Sequence, residues 1–190
     1  MSSISLFDPV LPEGFSYFPD FLSMQEEKML VEIVQAIDVQ PMIFQGYQAK
    51  RKTKSFGYDY HFNSHKLEKG LPIPDILNAL VDKVSKKLAI NPKMFAEVLV
   101  TEYPPGAVIN WHRDAPPFEL IAGISLLSDC SFRFRPHDKS RQSRKAIINQ
   151  IIERCSLYVL DGASRSDWEH SIMPVTNTRY SITLRTLRKS

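Results

Sequence analysis

One seven-residue stretch near the C-terminal end alternates between polar and apolar side chains: Arg179-Tyr180-Ser181-Ile182-Thr183-Leu184-Arg185. This period of two predicts a β-strand with apolar side chains on one face and polar side chains on the other. A solvated edge strand would account for the polar face. A bound dicarboxylate would account for it as well, because guanidinium groups make bidentate, charge-assisted bonds to carboxylates and the hydroxyls can donate further bonds.

A histidine and an aspartate, His112 and Asp114, stand two residues apart in the stretch 110–114. In an extended backbone such residues point to the same side, so both can ligate one ion. The strongest candidate for a third ligand is His170. Two histidines and one carboxylate form the facial triad of non-haem Fe(II) oxygenases, which leaves positions open for a co-substrate and oxygen. Taken alone, the His-x-Asp spacing also suits a surface pair or a buried structural histidine.

The combination of these two features resembles the signature of the AlkB-type Fe(II)/2-oxoglutarate dioxygenases, whose usual C-terminal pattern is Arg-x-Asn-x-Thr-x-Arg. Two further segments, 103–106 and 162–165, are similar to the family's Tyr-x-Pro-Gly and Gly-x-Ser-Arg segments. The likeness is close over roughly the span 97–187. Ser181 and Thr101 depart from it, since many relatives carry asparagine at those positions.

The resemblance implies Fe(II) as the metal, with 2-oxoglutarate and O2 as co-substrates. It implies that His112, Asp114 and His170 are the metal ligands. The implied catalytic residues are these three and Arg185, and the implied 2-oxoglutarate-binding residues are Thr101, Tyr103, Arg179, Ser181 and Arg185. Among them, Arg179 would bind the distal carboxylate and Arg185 would lie near the chelating end.

A basic run, 50–54, leads into an aromatic run, 56–62. Cations bind phosphates and aromatic faces stack on unpaired bases, so this composition suits a nucleic-acid partner. A solvated turn followed by a core strand suits the composition equally well. The resemblance favours the first interpretation, because Arg51, Tyr58 and Tyr60 look like the substrate-covering segment of the AlkB branch that includes tRNA wobble-uridine hydroxylases. Because the two tyrosines are two residues apart, we expect them to line the same side.

A second basic stretch, Arg133–Lys145, surrounds His137 and includes a predicted hairpin loop. It can bind phosphates or simply be solvated, and the sequence leaves both interpretations open. Trp111, Arg113, Trp168 and Glu169 adjoin the candidate ligands, and the sequence assigns them no role.

The chain has 190 residues, of which 43% are hydrophobic, which predicts one domain with a substantial core. A capping box at Ser23 and Glu26 predicts the start of a helix with a stripe at 29, 30, 33, 34 and 37, and a second stripe predicts a helix from about Ile76 to Leu88. Short strands with regular turns follow from Ala96 onward. We therefore expect an α+β, mainly β fold, a double-stranded β-helix or jelly roll with two N-terminal helices packed on one sheet. Residues 1–95 would supply the helices and the substrate-covering segment, and residues 96–190 the jelly-roll core.

The net charge of +3 permits nucleic-acid binding without requiring it. Residues 1–11 lack the pattern of a signal peptide, and no run has the length of a membrane span, so we expect a cytoplasmic protein, a monomer with no membrane partner. Cys130 and Cys155 are expected to be buried, reduced thiols.

The leading functional hypothesis is oxidative demethylation of alkylated bases, such as N1-methyladenine or N3-methylcytosine, in DNA or RNA. Such a base would be reached by flipping or on a single strand. The alternatives are hydroxylation of a modified tRNA uridine and oxidation or demethylation of a protein side chain. A nucleic-acid-binding module with a merely structural histidine and aspartate is the non-enzymatic alternative.

Overall fold

The computed structural model describes residues 10–44, 47–61 and 64–188. Within these ranges the chain forms α1 (Met24–Gln35), α2 (Asn78–Leu88) and α3 (Gly162–Ser166). The strands are β1 (Phe15–Phe18), β2 (Gln40–Phe44), β3 (Tyr47–His61), β4 (Lys66–Lys69), β5 (Phe95–Tyr103), β6 (Ile109–His112), β7 (Phe118–Leu126), β8 (Cys130–Pro136), β9 (Ile148–Ile152), β10 (Leu157–Leu160), β11 (Trp168–Ile172) and β12 (Arg179–Leu187).

The strands form two antiparallel sheets. The larger sheet has the order β1-β10-β7-β12-β5-β3-β2, with β4 paired to β3, and the smaller sheet has the order β6-β11-β8-β9. One apolar core, which includes Phe118, Phe132, Phe134 and Ile172, joins the two sheets. This arrangement confirms the predicted jelly roll.

A second core lies between the larger sheet and the two long helices. Leu30 of α1 and Val84 of α2 belong to the same buried cluster as Val98 of β5 and Ile182 of β12. The predicted alternation in β12 therefore places its apolar side chains under the helices. Its polar side chains consequently point to the opposite face, towards the smaller sheet.

The predicted capping box of α1 is present: Ser23 Oγ accepts from the Glu26 N–H, and the Glu26 carboxylate accepts from the Ser23 N–H. The predicted stripe is wrong at Met29, which is 54% exposed, and Glu27 is buried instead. Glu27 tolerates burial because its carboxylate accepts hydrogen bonds from the Leu127 N–H at 2.8 Å and from the Arg154 guanidinium.

The second predicted stripe is wrong at Ile76, which is 62% exposed. Ile76 belongs to a 3-10 turn, Asp75–Leu77, that precedes α2. The tighter winding of this turn, about three residues per turn, rotates Ile76 off the buried face of the following helix.

The N-terminal third contributes strands that the sequence did not reveal. Strand β1 pairs with β10 at the edge of the larger sheet. Strands β2 and β3 extend the same sheet beyond β5. At Gly57, β3 exchanges its partner β5 for β4. Gly57 has φ +85°, and a Cβ there would lie 2.1 Å from the Ala96 carbonyl oxygen, so only glycine fits.

Both cysteines are buried free thiols, as predicted. Across the described ranges, the helices are too short or too polar to cross a bilayer.

The buried Glu27 provides a test of how α1 is attached to the sheets. We expect Glu27→Ala to lower the free energy of unfolding by about 2 kcal/mol in urea titrations, since a buried acceptor of several bonds is lost. The exposed Glu32→Ala on the same helix should change the free energy of unfolding by less than about 0.5 kcal/mol. Equal effects of the two substitutions would contradict this role.

The same carboxylate gives a pH dependence with a defined sign. Burial opposes ionisation of Glu27, but hydrogen bonds from Arg154 and Leu127 hold its pKa below the usual value. Its stabilising contribution is therefore present above the ordinary carboxyl pKa of about 4.3 and is lost as the pH falls through the lower folded-state pKa. The stability difference between wild type and Glu27→Gln should narrow over that acidic range.

Candidate metal centre and cavity

Strand pairing brings the three predicted metal ligands together. His112 of β6 lies directly opposite His170 of β11, and their ring centroids are 4.3 Å apart. Asp114 follows β6, and its Oδ2 lies 3.4 Å from His170 Nε2. One potential ligand atom from each residue lies within 4.8 Å of the other two. Bonds to a divalent ion are about 2.1 Å long, so this separation suits a metal after a small inward adjustment.

Neighbouring groups orient both imidazoles. His112 Nδ1 lies 2.8 Å from the Asn110 carbonyl oxygen, so Nδ1 carries the proton and donates it, which leaves Nε2 as the ligand atom. The Phe132 ring stacks on His170 with a centroid distance of 5.1 Å and an interplanar angle of 13°. Burial lowers the pKa of His112 and lowers that of His170 to about 3. Both imidazoles are therefore neutral at neutral pH, as metal binding requires.

A buried polar chain holds the Asp114 carboxylate. Burial alone would raise the pKa of Asp114, but Arg185 and the two histidines more than offset it and hold that pKa well below its usual range. Arg185 Nη2 donates to Asp114 Oδ1 at 2.7 Å, and Arg185 Nη1 donates to Glu97 Oε2 at 2.8 Å. Glu97 Oε1 accepts from Ser55 Oγ at 2.7 Å. This series of hydrogen bonds thus connects β3, β5 and β12 to Asp114.

Sequence reasoning missed Glu97 and Ser55. A signal for Glu97 existed, because it shares the inward face of β5 with Thr101 and Tyr103 at a period of two. Ser55 carried no comparable signal, since its contact with Glu97 depends on the pairing of β3 with β5.

Arg179 lies at the opposite end of β12 from Arg185 and is completely buried. Its Nε donates to Ser125 Oγ at 3.1 Å, and the Tyr103 ring lies 4.9 Å from the guanidinium carbon. Within the described part of the chain, Arg179 Nη1 and Nη2 have no hydrogen-bond partner. A buried cation with unsatisfied donors is costly, so this end of the strand fits the distal carboxylate of a diacid.

A cavity of about 890 Å³ lies between the sheets. Its lining includes His112, Asp114, His170, Arg185, Thr101, Tyr103 and Thr183. Ser181, which is buried opposite Thr101, and Arg179 lie outside this lining. A carboxylate that reaches Arg179 would therefore enter beside Tyr103, the residue that contacts both the cavity and the guanidinium.

The structure divides the three candidate substrate-binding residues. Arg51 and Tyr60 line the cavity. Arg51 Nη2 lies 2.8 Å from Met42 Sδ, and its charge contributes to the lowered pKa of His112. Tyr58 does not share this side; it lines a separate, more open cavity of about 510 Å³. The expectation that both tyrosines line one side is therefore wrong.

Arg165 fixes the backbone that follows the metal-ligating carboxylate. It lies in α3 and is buried, and its Nη2 donates to the carbonyl oxygens of Asp114 at 3.0 Å, Ala115 at 2.7 Å and Phe118 at 3.0 Å. Nearby, Arg113 Nη1 donates to the Ser166 carbonyl oxygen at 2.8 Å. The segment 162–165 thus positions Asp114 from a distant part of the chain.

A family model described as the 2OG-Fe(II) oxygenase superfamily matches residues 14–188. The chain belongs to this superfamily. It is therefore an oxidoreductase whose family uses Fe(II), 2-oxoglutarate and O2, and the converging donors and the unpaired Arg179 guanidinium fit these groups.

Curated relatives confirm the AlkB-type resemblance. The mouse protein named tRNA (carboxymethyluridine(34)-5-O)-methyltransferase ALKBH8 is 30% identical over 171 residues, which cover 86% of this chain and 25% of the relative. The Macaca fascicularis protein of the same name is 30% identical over 169 residues, which cover 85% of this chain and 24% of the relative. The chain thus spans about a quarter of the length of these relatives.

Solved structures show the same fold at lower identity. The structure of OsALKBH1 superposes with a TM-score of 0.69 and 14% identity, covering 94% of this chain and 99% of that one. A Pseudomonas putida prolyl-4-hydroxylase superposes with a TM-score of 0.64 and 17% identity, covering 92% of this chain and 93% of that one.

Arg165 offers a test of the positioning of Asp114. We expect Arg165→Met to weaken binding of Fe(II), measured anaerobically, by about 10–100-fold, because the carbonyls of the loop lose their common donor. The exposed Arg141→Met should leave metal affinity unchanged. Circular dichroism should show that both variants fold, and unchanged metal affinity in a folded Arg165→Met would exclude the positioning role.

Proposed function

We propose that this chain hydroxylates a side group of a modified uridine in tRNA, with His112, Asp114 and His170 as the iron ligands. The observation that carries the proposal is the convergence of these donors within 4.8 Å in a cavity lined by Tyr103, whose ring contacts the buried, unpaired guanidinium of Arg179. We further propose a single oxygenase domain that acts as a monomer.

The site would work mainly by positioning. When bound, Fe(II) with 2-oxoglutarate and O2 supplies an oxidant that hydroxylates a C–H bond while 2-oxoglutarate becomes succinate and CO2. Arg185 keeps Asp114 ionised and occupies its Oδ1, so Oδ2 is directed at the metal position. The Asn110 carbonyl fixes the tautomer of His112.

The inner face of β12 and the neighbouring β5 would bind the co-substrate. Arg179 would hold the distal carboxylate through the two nitrogens that lack partners, with Ser181 and Tyr103 beside it. Thr101 lies opposite Ser181 in the pairing of β5 with β12 and lines the cavity. Apolar walls contributed by Ile121, Leu160 and Ile172 limit access of water to the reacting atoms.

The positive charge of Arg51 favours a substrate nucleobase that is neutral or carries a negatively charged side group. Arg51 lines the cavity and lies close enough to His112 to influence its pKa. N1-methyladenine and N3-methylcytosine carry a positive charge, so a cation at this position disfavours them relative to a uridine with an acidic side group. The ALKBH8 relatives, whose name specifies carboxymethyluridine of tRNA, also favour a modified uridine over the methylated bases. The methyltransferase activity in the relatives' name is not part of the proposal, because this chain matches an oxygenase family.

Demethylation of alkylated bases remains the second candidate, and the two are separable by the mass of the product. Incubation with carboxymethyluridine-containing tRNA should add one oxygen atom to the base. Incubation with methylated oligonucleotides would instead remove a CH2 unit if demethylation were the main activity. Oxidation of peptides alone would refute a nucleic-acid substrate altogether.

The metal and co-substrate roles predict two different kinetic defects. Asp114→Ala should abolish Fe(II)-dependent succinate release while the fold is retained.

Arg179→Met should raise the KM for 2-oxoglutarate by about 100-fold or more, because two charge-assisted bonds of about 1.5–3 kcal/mol each are lost. Metal affinity should be unchanged in Arg179→Met. An unchanged KM in this variant would exclude Arg179 from the co-substrate site.

The substrate role of the cavity mouth predicts an uncoupling. Arg51→Gln and Tyr60→Leu should lower kcat/KM for carboxymethyluridine in tRNA by about tenfold, while 2-oxoglutarate turnover without RNA stays near wild type. Tyr58→Leu is the matched control, since Tyr58 lies outside this cavity. Equal damage to both activities would show that Arg51 and Tyr60 are structural.

A further inference from the structure

The outer face of the smaller sheet carries a cationic cluster that the cavity does not use. Because side chains alternate along a strand, Phe132 and Phe134 of β8 point into the core, whereas Arg133 and Arg135 point outward. On the neighbouring β11, Glu169 and Ser171 pair with these arginines in register. The cationic face and His170 therefore lie on opposite sides of the same strand, β11.

Trp111 organises this cluster. The guanidinium carbons of Arg133 and Arg135 lie 4.8 Å and 4.7 Å from the centre of its ring, within cation–π range. Arg135 also forms an ion pair with Glu169 at 2.6 Å. Arg133 donates through Nε to the neutral Ser171 hydroxyl at 3.1 Å, and among the described residues no carboxylate lies within ion-pair distance of it. The Arg133 guanidinium is thus fixed in position, and no carboxylate among the described residues compensates its positive charge.

The loop between β8 and β9 extends the positive surface. It presents four exposed cations that form no ion pair within the described ranges: Lys139, Arg141, Arg144 and Lys145. Local bonds give the loop a defined shape, since Asp138 caps one 3-10 turn and Ser143 caps the next. Gln142 Nε2 also donates to the Pro136 carbonyl oxygen at 2.9 Å.

The charge balance of this surface is strongly uneven. It combines six basic side chains with two carboxylates, Asp138 and Glu169, so its local excess of positive charge exceeds the +3 of the whole chain. A large field of one sign attracts a polyanion and raises its rate of encounter. Guanidinium groups that lie over an aromatic ring can still use N–H donors that have no other partner for the contacts that phosphates accept.

We propose that this basic face, defined as Trp111, Arg133, Arg135 and the loop 139–145, binds the sugar–phosphate backbone of the RNA substrate. The proposal rests on the proposed function and deepens it by separating two tasks. The cavity selects the base to be oxidised, and the basic face supplies affinity that does not depend on base sequence.

The test reverses charge on the loop and measures binding directly. Arg141→Glu/Arg144→Glu changes two exposed residues outside the cavity, and Lys28→Glu/Lys86→Glu makes the same change in net charge on the exposed sides of α1 and α2. The probe is a fluorescein-labelled, unmodified tRNA transcript, followed by fluorescence anisotropy over a range of salt concentrations.

The loop variant should bind the transcript at least about tenfold more weakly, and its salt dependence should be shallower by about 2 in log–log slope, because about two phosphate contacts are lost. The helix variant should bind within about twofold of wild type. Equal weakening of both variants would show a general charge effect and overturn the proposal, as would unchanged binding of the loop variant.

Three further measurements define the binding surface, the ligand and the integrity of the loop variant. Arg133→Gln should weaken binding of the transcript several-fold. In competition experiments with the wild-type protein, polyglutamate should displace the transcript far less well than polyuridylate. Equal displacement by the two polymers would assign the face to acidic ligands in general and overturn the RNA assignment. Turnover of 2-oxoglutarate without RNA should be unchanged in the loop variant, which shows that the fold and the metal centre are intact.

Failure of this proposal is distinguishable from failure of the proposed function. Binding of an unmodified transcript needs no oxidation, so the expected loss in the loop variant would support the basic face even if no uridine were oxidised. Oxidation of tRNA by a loop variant with wild-type affinity would refute the basic face and leave the proposed function standing.

Discussion

The antiparallel pairing of β6 with β11 is the constraint on which the metal centre depends. It sets His112 directly opposite His170 and brings their rings to a centroid distance of 4.3 Å. Because side chains alternate along a strand, a slip of one residue would turn one imidazole to the outer face and place an outward residue in the core. Phe132 of β8 stacks on His170 and so helps to hold this imidazole on the inner face of the sheet.

Strand β12 organises the rest of the cavity by holding two buried arginines in different electrostatic states. Arg185 lies between Glu97 and Asp114, so its charge is compensated and its function is to position a carboxylate. Arg179 is completely buried and has two nitrogens without a partner among the described residues. An anion is therefore stabilised at one end of the strand and a cation at the other, which suits a diacid that reaches from Arg179 to the metal.

The two faces of the smaller sheet carry side chains of different charge. Its inner face presents neutral imidazoles and aromatic rings, where burial lowers the pKa of both histidines. Its outer face presents arginines stacked on Trp111 and exposed loop cations. The residues flanking the ligands in sequence, Trp111 and Glu169, thus face away from the metal because strand alternation forces neighbours to opposite sides.

The sequence alone determined the features that depend on periodicity and local bonding. The two faces of β12, the capping box at Ser23 and the grouping of His112 with Asp114 all follow from spacing within one element. Tertiary structure alone decided which groups meet across distant elements: Glu27 is buried against Arg154, Arg185 lies between two carboxylates, and Tyr58 lies outside the cavity. The physical reason is that spacing specifies which side chains share a face, whereas the register between strands far apart in the chain specifies what that face contacts.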